Sequence, residues 1–230
     1  MSNGVLQRRL AAILAADVVA YSRQMAEDEP GTLVRVRALR DELIEPLTAT
    51  HGGRVFAIMG DGFLMEFTST VQAVACALAI REQIAKQQMG LQLRIGVHAG
   101  DVVVDGDGVT GDGVNIAVRL QTLAEPGGIC LSDRVREDVA GKLDLELADF
   151  GTPQLKNIDR PIRVFGVGTG KTAVPAPTSA EKPTIAVLPF ANLSGDPAQD
   201  YFADGMVEEI ITALSRIQWL FVIARNSSFS

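Results

Sequence analysis

The sequence predicts an α+β fold with a ferredoxin-like βαββαβ core and a C-terminal extension. Three observations carry this: apolar runs of strand length alternate with two stretches of helical periodicity, the second and third runs flank a tight Gly-Asp-Gly turn, and the resulting order is that of a split βαβ unit with its helices on one face of a sheet. With 230 residues, 47% of them hydrophobic, the chain can bury such a core.

The elements follow in order. LAAILAADVVAYS is a short buried strand ending near Asp17. After the turn-like EDEPG, Leu33, Val36, Leu39, Leu43 and Leu47 recur at helical spacing, and His-Gly-Gly after Thr50 stops that helix. FAIMGDGFLMEF is a hairpin, Arg54 to Met59 against Phe63 to Phe67, with Asp61-Gly62 as the turn pair, because both residues tolerate the positive φ such turns demand. Ser69 or Thr70 caps a second helix with Val71, Val74, Leu78 and Ile84 or nearby alanines on its buried face, running to about Gln88. LQLRIGVHAGDVVV alternates as one long strand or a bent pair, closing the core. Beyond it, DGDGVTGDG opens onto a helix from Val114 to about Leu123, ended by EPGG. GICLS is a strand, Asp133 to Val139 a short helix, and two more strands fall around Leu143 to Leu147 and Pro161 to Val167.

These elements define a first domain over 1–168. Residues 169–183 have the Pro, Ser and Thr content of a linker. From 184 to 230 the chain reads strand (TIAVLPF), amphipathic helix (Tyr201 to Arg216) and strand (LFVIA), too little to close a core alone and so an incomplete second domain.

Charge and cysteine content exclude several classes. A formal charge of −7 argues against a broad nucleic-acid surface or an anionic-membrane anchor, both of which need a basic field. Arg8-Arg9 followed by LAAILAA imitates a secretory signal, but Asp17 interrupts the apolar run and no cleavage site follows. No run approaches the ~18 apolar residues of a membrane span. Cys76 and Cys130 form neither a metal pair nor a disulfide framework, which fits a reducing compartment. The expectation is a cytoplasmic protein.

Three glycine-rich stretches imitate ligand motifs. Gly106, Gly108 and Gly111 satisfy G-x-G-x-x-G but follow a strand expected to be antiparallel, not the first strand of a parallel sheet. FGVGTGKT lacks the first P-loop glycine, since Phe165 stands there. DGDGVT begins like a calcium loop, but Val109 and Thr110 stand where an oxygen ligand and a glycine are needed.

The carboxylates carry more. Neighbouring strands lie about 4.8 Å apart, so Asp17 at a strand end and Asp61 at the hairpin tip can converge. Two such acids repel unless a cation lies between them, and Mg²⁺ takes one or two carboxylates with phosphate oxygens and waters. Gly60 and Gly62 would let backbone and ligand approach closely. Each residue also has an ordinary role: Asp61 as turn former, Asp17 as strand-end acid, Asn115 as helix cap, Arg119 as a solvated helix arginine.

Four motifs, AADVVAYS, MGDGFLMEF, RIGVHAGDVV and GDGVNIAVRL, resemble in order and spacing those of the class III nucleotidyl cyclases, the adenylate and guanylate cyclase catalytic domain. The resemblance runs from about Arg9 to Gly168. It implies that Asp17 and Asp61 bind two metal ions (Mg²⁺ or Mn²⁺), that Asn115 and Arg119 steady the transition state, and that Lys156 in LKNIDRP contacts the triphosphate. It further implies conversion of ATP to cyclic AMP and pyrophosphate at sites shared across a homodimer. The family's adenine-reading lysine and aspartate fall at Ala57 and Gly108, which removes both side-chain contacts to the base unless Asp107, Thr110 or backbone groups substitute, so the resemblance leaves relaxed base selectivity, or a silent nucleotide-binding dimer, as alternatives. The Gly-Gly-Asp/Glu-Glu-Phe signature of diguanylate cyclases is absent, since Gly62 stands where the glutamate should. The last segment resembles the TolB-like region that often follows bacterial cyclase domains, implying a regulatory partner.

Overall fold

The structure, a computed structural model, describes residues 7–106, 108–168, 184–186 and 221–223. The chain divides into two compact units, Met1–Ala176 and Pro177–Ser230.

In the first unit β1 (Gln7–Val18) is followed by α1 (Tyr21–Glu27) and α2 (Glu29–Ala38), a π-helical stretch (Leu39–Ile44) and α3 (Glu45–Thr50). Then come β2 (Gly53–Met59), β3 (Gly62–Phe67), α4 (Thr70–Gln87) and β4 (Leu93–Asp105), completing the βαββαβ order. The sheet continues with β5 (Gly108–Thr110), α5 (Asp112–Leu123), β6 (Ile129–Ser132), α6 (Asp133–Val139), β7 (Leu147–Asp149) and β8 (Val164–Val167), in the spatial order β2-β3-β1-β4-β6-β8-β7 with β5 paired to β4. The β2-β3-β1-β4 part is the antiparallel ferredoxin-like arrangement.

β1 is central and buried on both faces, which is why its sequence is an unbroken apolar run. Ala12, Leu14, Ala16 and Val18 face a core shared with the π-helical stretch and α4, whereas Ala11, Ile13 and Ala15 face a second cluster with Val114 and Ala117 of α5. The core helices therefore lie on one face, and α5, beyond the βαββαβ unit, covers the other. Its approach is close because Gly96 and Gly100 of β4 present no side chains: a Cβ on Gly96 would stand 2.3 Å from Ala117 O, and one on Gly100 would stand 3.3 Å from Gly113 Cα.

Some expectations need correction. The first helical stretch is not one α-helix: Pro46 lacks the N–H that would bond back to Glu42, and the turn before it is wound as π-helix. Leu33, expected on the buried face, is 44% exposed. The hairpin turn is Gly60-Asp61, not Asp61-Gly62; Met59 pairs with Gly62, and of the two turn residues only Gly60 takes positive φ (63°), the pattern of a turn with glycine at its first central position. A bulge between Val55 and Ala57 puts Phe56 and Ala57 together on the α5 side. The strand expected around Leu143 to Leu147 begins only at Leu147. The glycines at 106, 108 and 111 surround the antiparallel β4-β5 pair, incompatible with a dinucleotide fold.

In the second unit, β9 (Thr184–Ala186) and β10 (Phe221–Ile223) pair in parallel. The linker 169–183 and the helix expected from Tyr201 to Arg216 lie outside the described residues, apart from these strands.

Candidate functional site

The hairpin tip is tied to the end of β1. Asp17 is opposite Gly62 in the β1-β3 register, and Val18 N donates to the main-chain carbonyl of Asp61 at 3.3 Å. Across β1's other edge, Asp17 is opposite Arg94 of β4. The sheet thus brings Asp17 and Asp61 together, both half-buried. Burial holds both carboxyls above the ordinary carboxylate range; for Asp17 the nearby Asp61 charge adds to this, while Gln121 and the Arg94 guanidinium act against it.

Asp17 retains unused acceptor capacity, since its Oδ1 is buried without a hydrogen-bond partner. The Gln121 amide lies near enough to favour the charged carboxylate, yet Gln121 Nε2 is also buried without a partner, so no hydrogen bond of good geometry joins the two. Two adjacent desolvated carboxylates with an orphaned oxygen fit a hard divalent cation. No group of three or more His, Cys, Asp or Glu that could hold a metal ion occurs among the described residues.

The second group forms on α5. Gly111, at φ 121°, is the N-cap, and Gly113 fits under the chain at Asp101, where a Cβ would stand 3.1 Å from Asp101 O. Asn115 is not a cap but lies within the first helical turn, its N–H donating to Gly111 O. Val114, Ile116, Ala117, Leu120 and Gln121 are buried, whereas Asn115 is exposed and Arg119, one turn on, only half-buried. The two therefore share the helix face turned from the sheet. Arg119 Nε donates to Lys156 O at 3.2 Å. The loop carrying Lys156 is held there by Leu155, packed in one cluster with Ile116 and Leu120, and by the Arg160–Asp112 ion pair at 3.0 Å.

The sequence-predicted residues thus separate into two sets. Asp17, Asp61, Gly60 and Gly62 gather at one end of the sheet, and Asn115, Arg119 and Lys156 gather on the outer face of α5. Within one chain the helix body lies between them, since Gln121 approaches Asp17 from the sheet-facing side. Ala57 is half-buried against the apolar cluster on the α5 side of the sheet, and Gly108 opens β5 in the open. Neither offers a side chain that can hydrogen-bond a base. Asp107, a possible substitute, lies outside the described residues.

Arg94 and Gln121 were missed as site residues. Gln121 had a signal: it is a polar residue on the apolar stripe formed by Ala117 and Leu120. Arg94 opens RIGVHAG and gave none.

Comparison with known proteins shows the family of the chain. The family described as the adenylate and guanylate cyclase catalytic domain matches residues 7–165, and the chain belongs to it. A Rhizobium meliloti protein named "Putative adenylate cyclase 3" is 46% identical over 244 aligned positions, covering 100% of this chain and 42% of its own length. An uncharacterized Mycobacterium tuberculosis protein is 33% identical over 156 positions, covering 65% of this chain and 52% of its own. The chain therefore spans about half, or less, of these curated relatives. Among solved structures, an adenylate/guanylate cyclase/hydrolase from Silicibacter pomeroyi superposes with TM-score 0.67 at 39% identity, covering 71% of this chain and 98% of that one. The adenylyl cyclase CyaB from P. aeruginosa, 20% identical, shares the fold with TM-score 0.65, covering 73% and 97%. No helix among the described residues is long and apolar enough to cross a membrane.

Proposed function

We propose that the chain is a nucleotidyl cyclase that converts ATP to cyclic AMP and pyrophosphate, with each active site built from two copies. The observation that carries this is the separation of the two residue sets: Asp17 and Asp61 at the sheet end, Asn115, Arg119 and Lys156 on the outward face of α5. A second copy, related by two-fold symmetry, can lay its α5 face over the first copy's acids and complete two equivalent sites.

Asp17 and Asp61 would hold Mg²⁺ or Mn²⁺, two ions per site. When bound, the ions would lower the pKa of the ribose 3′-hydroxyl and neutralise the triphosphate. The attacking 3′-oxygen forms a bond to the α-phosphorus, the bond from that phosphorus to the bridging oxygen of the β-phosphate breaks, and pyrophosphate leaves with the electron pair while the hydroxyl proton passes to solvent. Arg119 stabilises charge on the α-phosphate and leaving oxygen, Asn115 orients the ribose, and Lys156 holds the outer phosphates. The buried packing of α5 against Gly96 and Gly100 fixes where these groups stand before substrate arrives.

Mixing Asp61→Asn and Arg119→Ala chains, each inactive alone, tests this with ATP and Mn²⁺. Random pairing leaves one intact site in about half the dimers, so about a quarter of wild-type activity is expected. No recovery, with mixed dimers demonstrated and wild type active, would overturn the shared site.

Ala57 and Gly108 favour a second reading, a catalytically weak or silent cyclase-fold dimer that binds nucleotide or nothing and transmits a signal through the C-terminal segment. Absence of cyclic nucleotide from wild type under any metal, with nucleotide binding retained, would select it. In either case residues 184–230, set apart by the linker 169–183 from the catalytic domain 1–168, would serve interaction with a regulatory partner in a cytoplasmic setting.

A further inference from the structure

Gln121 is the one buried residue of α5 whose side chain carries hydrogen-bonding groups, and it is 5% exposed. Its backbone sits on Gly96, where a Cβ would stand 2.2 Å from Gln121 N. Gly96 is opposite Ala15, two residues from Asp17 on the same face of β1. The side chain is thereby confined between helix and sheet beside Asp17, with its Nε2 and the Asp17 Oδ1 each lacking a partner. A buried polar group left unsatisfied costs about 1–3 kcal/mol. The Gln121 amide lies near enough to favour the charged Asp17 carboxylate, so an orphaned donor and an orphaned acceptor stand as neighbours able to satisfy one another. Arg94, opposite Asp17 on β4, and Asp61 are the charges that face the same carboxylate.

We propose that Gln121 is a positioning residue for Asp17: its amide donates to Oδ1 while the other carboxylate oxygen turns to the cation, so that one helix serves two active sites, offering Asn115 and Arg119 to one and steadying Asp17 of the other. This rests on the acid pair being the cation site of the proposed cyclase. Partners that orient metal ligands typically change affinity 10- to 100-fold when removed. A Gln121 acting only in packing would instead be replaced without consequence by methionine, similar in length and unbranched.

The test measures Mn²⁺ binding to the full chain by electron paramagnetic resonance of the free ion, without nucleotide, for wild type, Gln121→Met and Asp17→Asn, with melting temperature as a check on folding. Gln121→Met is expected to weaken Mn²⁺ binding about tenfold with the fold intact. Wild-type affinity in Gln121→Met alongside loss in Asp17→Asn would overturn the role of Gln121 alone; wild-type affinity in Asp17→Asn would overturn the cation site beneath it. Should Gln121→Met fail to fold, Gln121→Glu serves, expected to make Mn²⁺ affinity strongly pH-dependent, because a third carboxylate must lose its proton as the ion binds; a pH response like that of wild type would overturn the proposal. Mixed dimers supply a second arm. With Asp61→Asn and Arg119→Ala chains combined, the intact site draws its acids from the Arg119→Ala chain, so Gln121→Met should cut activity about tenfold when carried on that chain. An equal loss from the Asp61→Asn chain instead would show that Gln121 acts through Arg119 and would sink the assignment.

Discussion

Gly96 lies directly beneath the backbone of Gln121, so close that a Cβ there would stand 2.2 Å from Gln121 N and 2.9 Å from its Cα. Both neighbours are backbone, with no flexible side chain to yield, so any added carbon must move α5 as a body. Replacing a strand glycine by alanine ordinarily gains about 0.5–1 kcal/mol, whereas forced overpacking costs about 1–3 kcal/mol. The clash wins. Gly96→Ala should therefore lower the melting temperature by several degrees and, by shifting Asn115 and Arg119, cut cyclase turnover on the order of 100-fold. Thermal melts and initial rates check it; unchanged values in both would show that α5 need not sit where Gly96 admits it.

Asp17 carries a stability consequence of its own. Its native carboxyl is raised above the ordinary value, chiefly by burial and then, against the pull of Gln121 and Arg94, by Asp61. Between the unfolded and native values the native state binds more protons, so stability is greatest at low pH and falls as pH rises through that window. At neutral pH the metal-free protein holds a charge it would be more stable without. Asp17→Asn should thus melt higher than wild type at pH 7 without metal. Mn²⁺ should reverse the order by stabilising wild type alone. Calorimetric scans with and without Mn²⁺ decide it, and a lower melting point for the metal-free variant would contradict the electrostatics.

Much of this arrangement was legible in the sequence because it follows from local rules. The Gly60-Asp61-Gly62 hairpin, the Ser69 cap of α4 and the apolar run of β1 each declare themselves within a few residues. The convergence of Asp17 and Asp61 followed from strand order alone. What escaped needs distance information: Gln121 touches its neighbours across a sheet face, and the closeness of α5 depends on glycines that look like ordinary strand residues. The hairpin turn was misassigned by one residue because Gly60 and Gly62 flank Asp61 symmetrically, and only the pairing of Met59 with Gly62 chooses between them. The helical stretch before β2 looks continuous in sequence because leucine spacing tracks one face whether or not Pro46 breaks the ladder.

His98 gives a pH prediction free of the site. It is 3% exposed, its Nδ1 lies 2.9 Å from Ser132 Oγ, and its Nε2 is buried without a partner. Burial, with Arg160 and Arg134 nearby, pushes its pKa down to about 4. Above the unfolded value of about 6.5 neither state is protonated and His98 has no effect on the pH profile. Below it the unfolded chain takes a proton that the native state refuses until about pH 4, so stability drains away across that window. By pH 5 the loss is about 2 kcal/mol. Urea unfolding at pH 7.5 and pH 5 should show His98→Gln losing less than wild type by roughly that amount; equal losses would mean that His98 is charged in the native state.

Base selectivity is the property the chain's own residues constrain most sharply. Ala57 packs against the apolar cluster that holds Leu64, Val102 and Val114, as Phe56, Val104 and Val118 do, and β5 opens at Gly108 without a side chain. An apolar wall accepts any purine ring but cannot distinguish exocyclic groups, because discrimination of that kind needs hydrogen bonds whose loss leaves a polar group unpaired. Wild type should therefore turn over ATP and GTP with kcat/KM values within about tenfold of each other. Both positions can accept a reader. Ala57 is in a strand and only half-buried, and Gly108 is exposed at a φ outside the left-handed region, though a Cβ there would stand 3.3 Å from Asp105 O, so that this carbonyl must give by a few tenths of an ångström. Ala57→Lys with Gly108→Asp should then favour ATP by a further ~10- to 100-fold, the worth of one or two directed polar contacts at about 1–3 kcal/mol each. Competition between the two nucleotides at fixed Mn²⁺ measures the ratio directly, and an ATP preference of several hundred-fold in the unmodified chain would show that backbone groups already read the base.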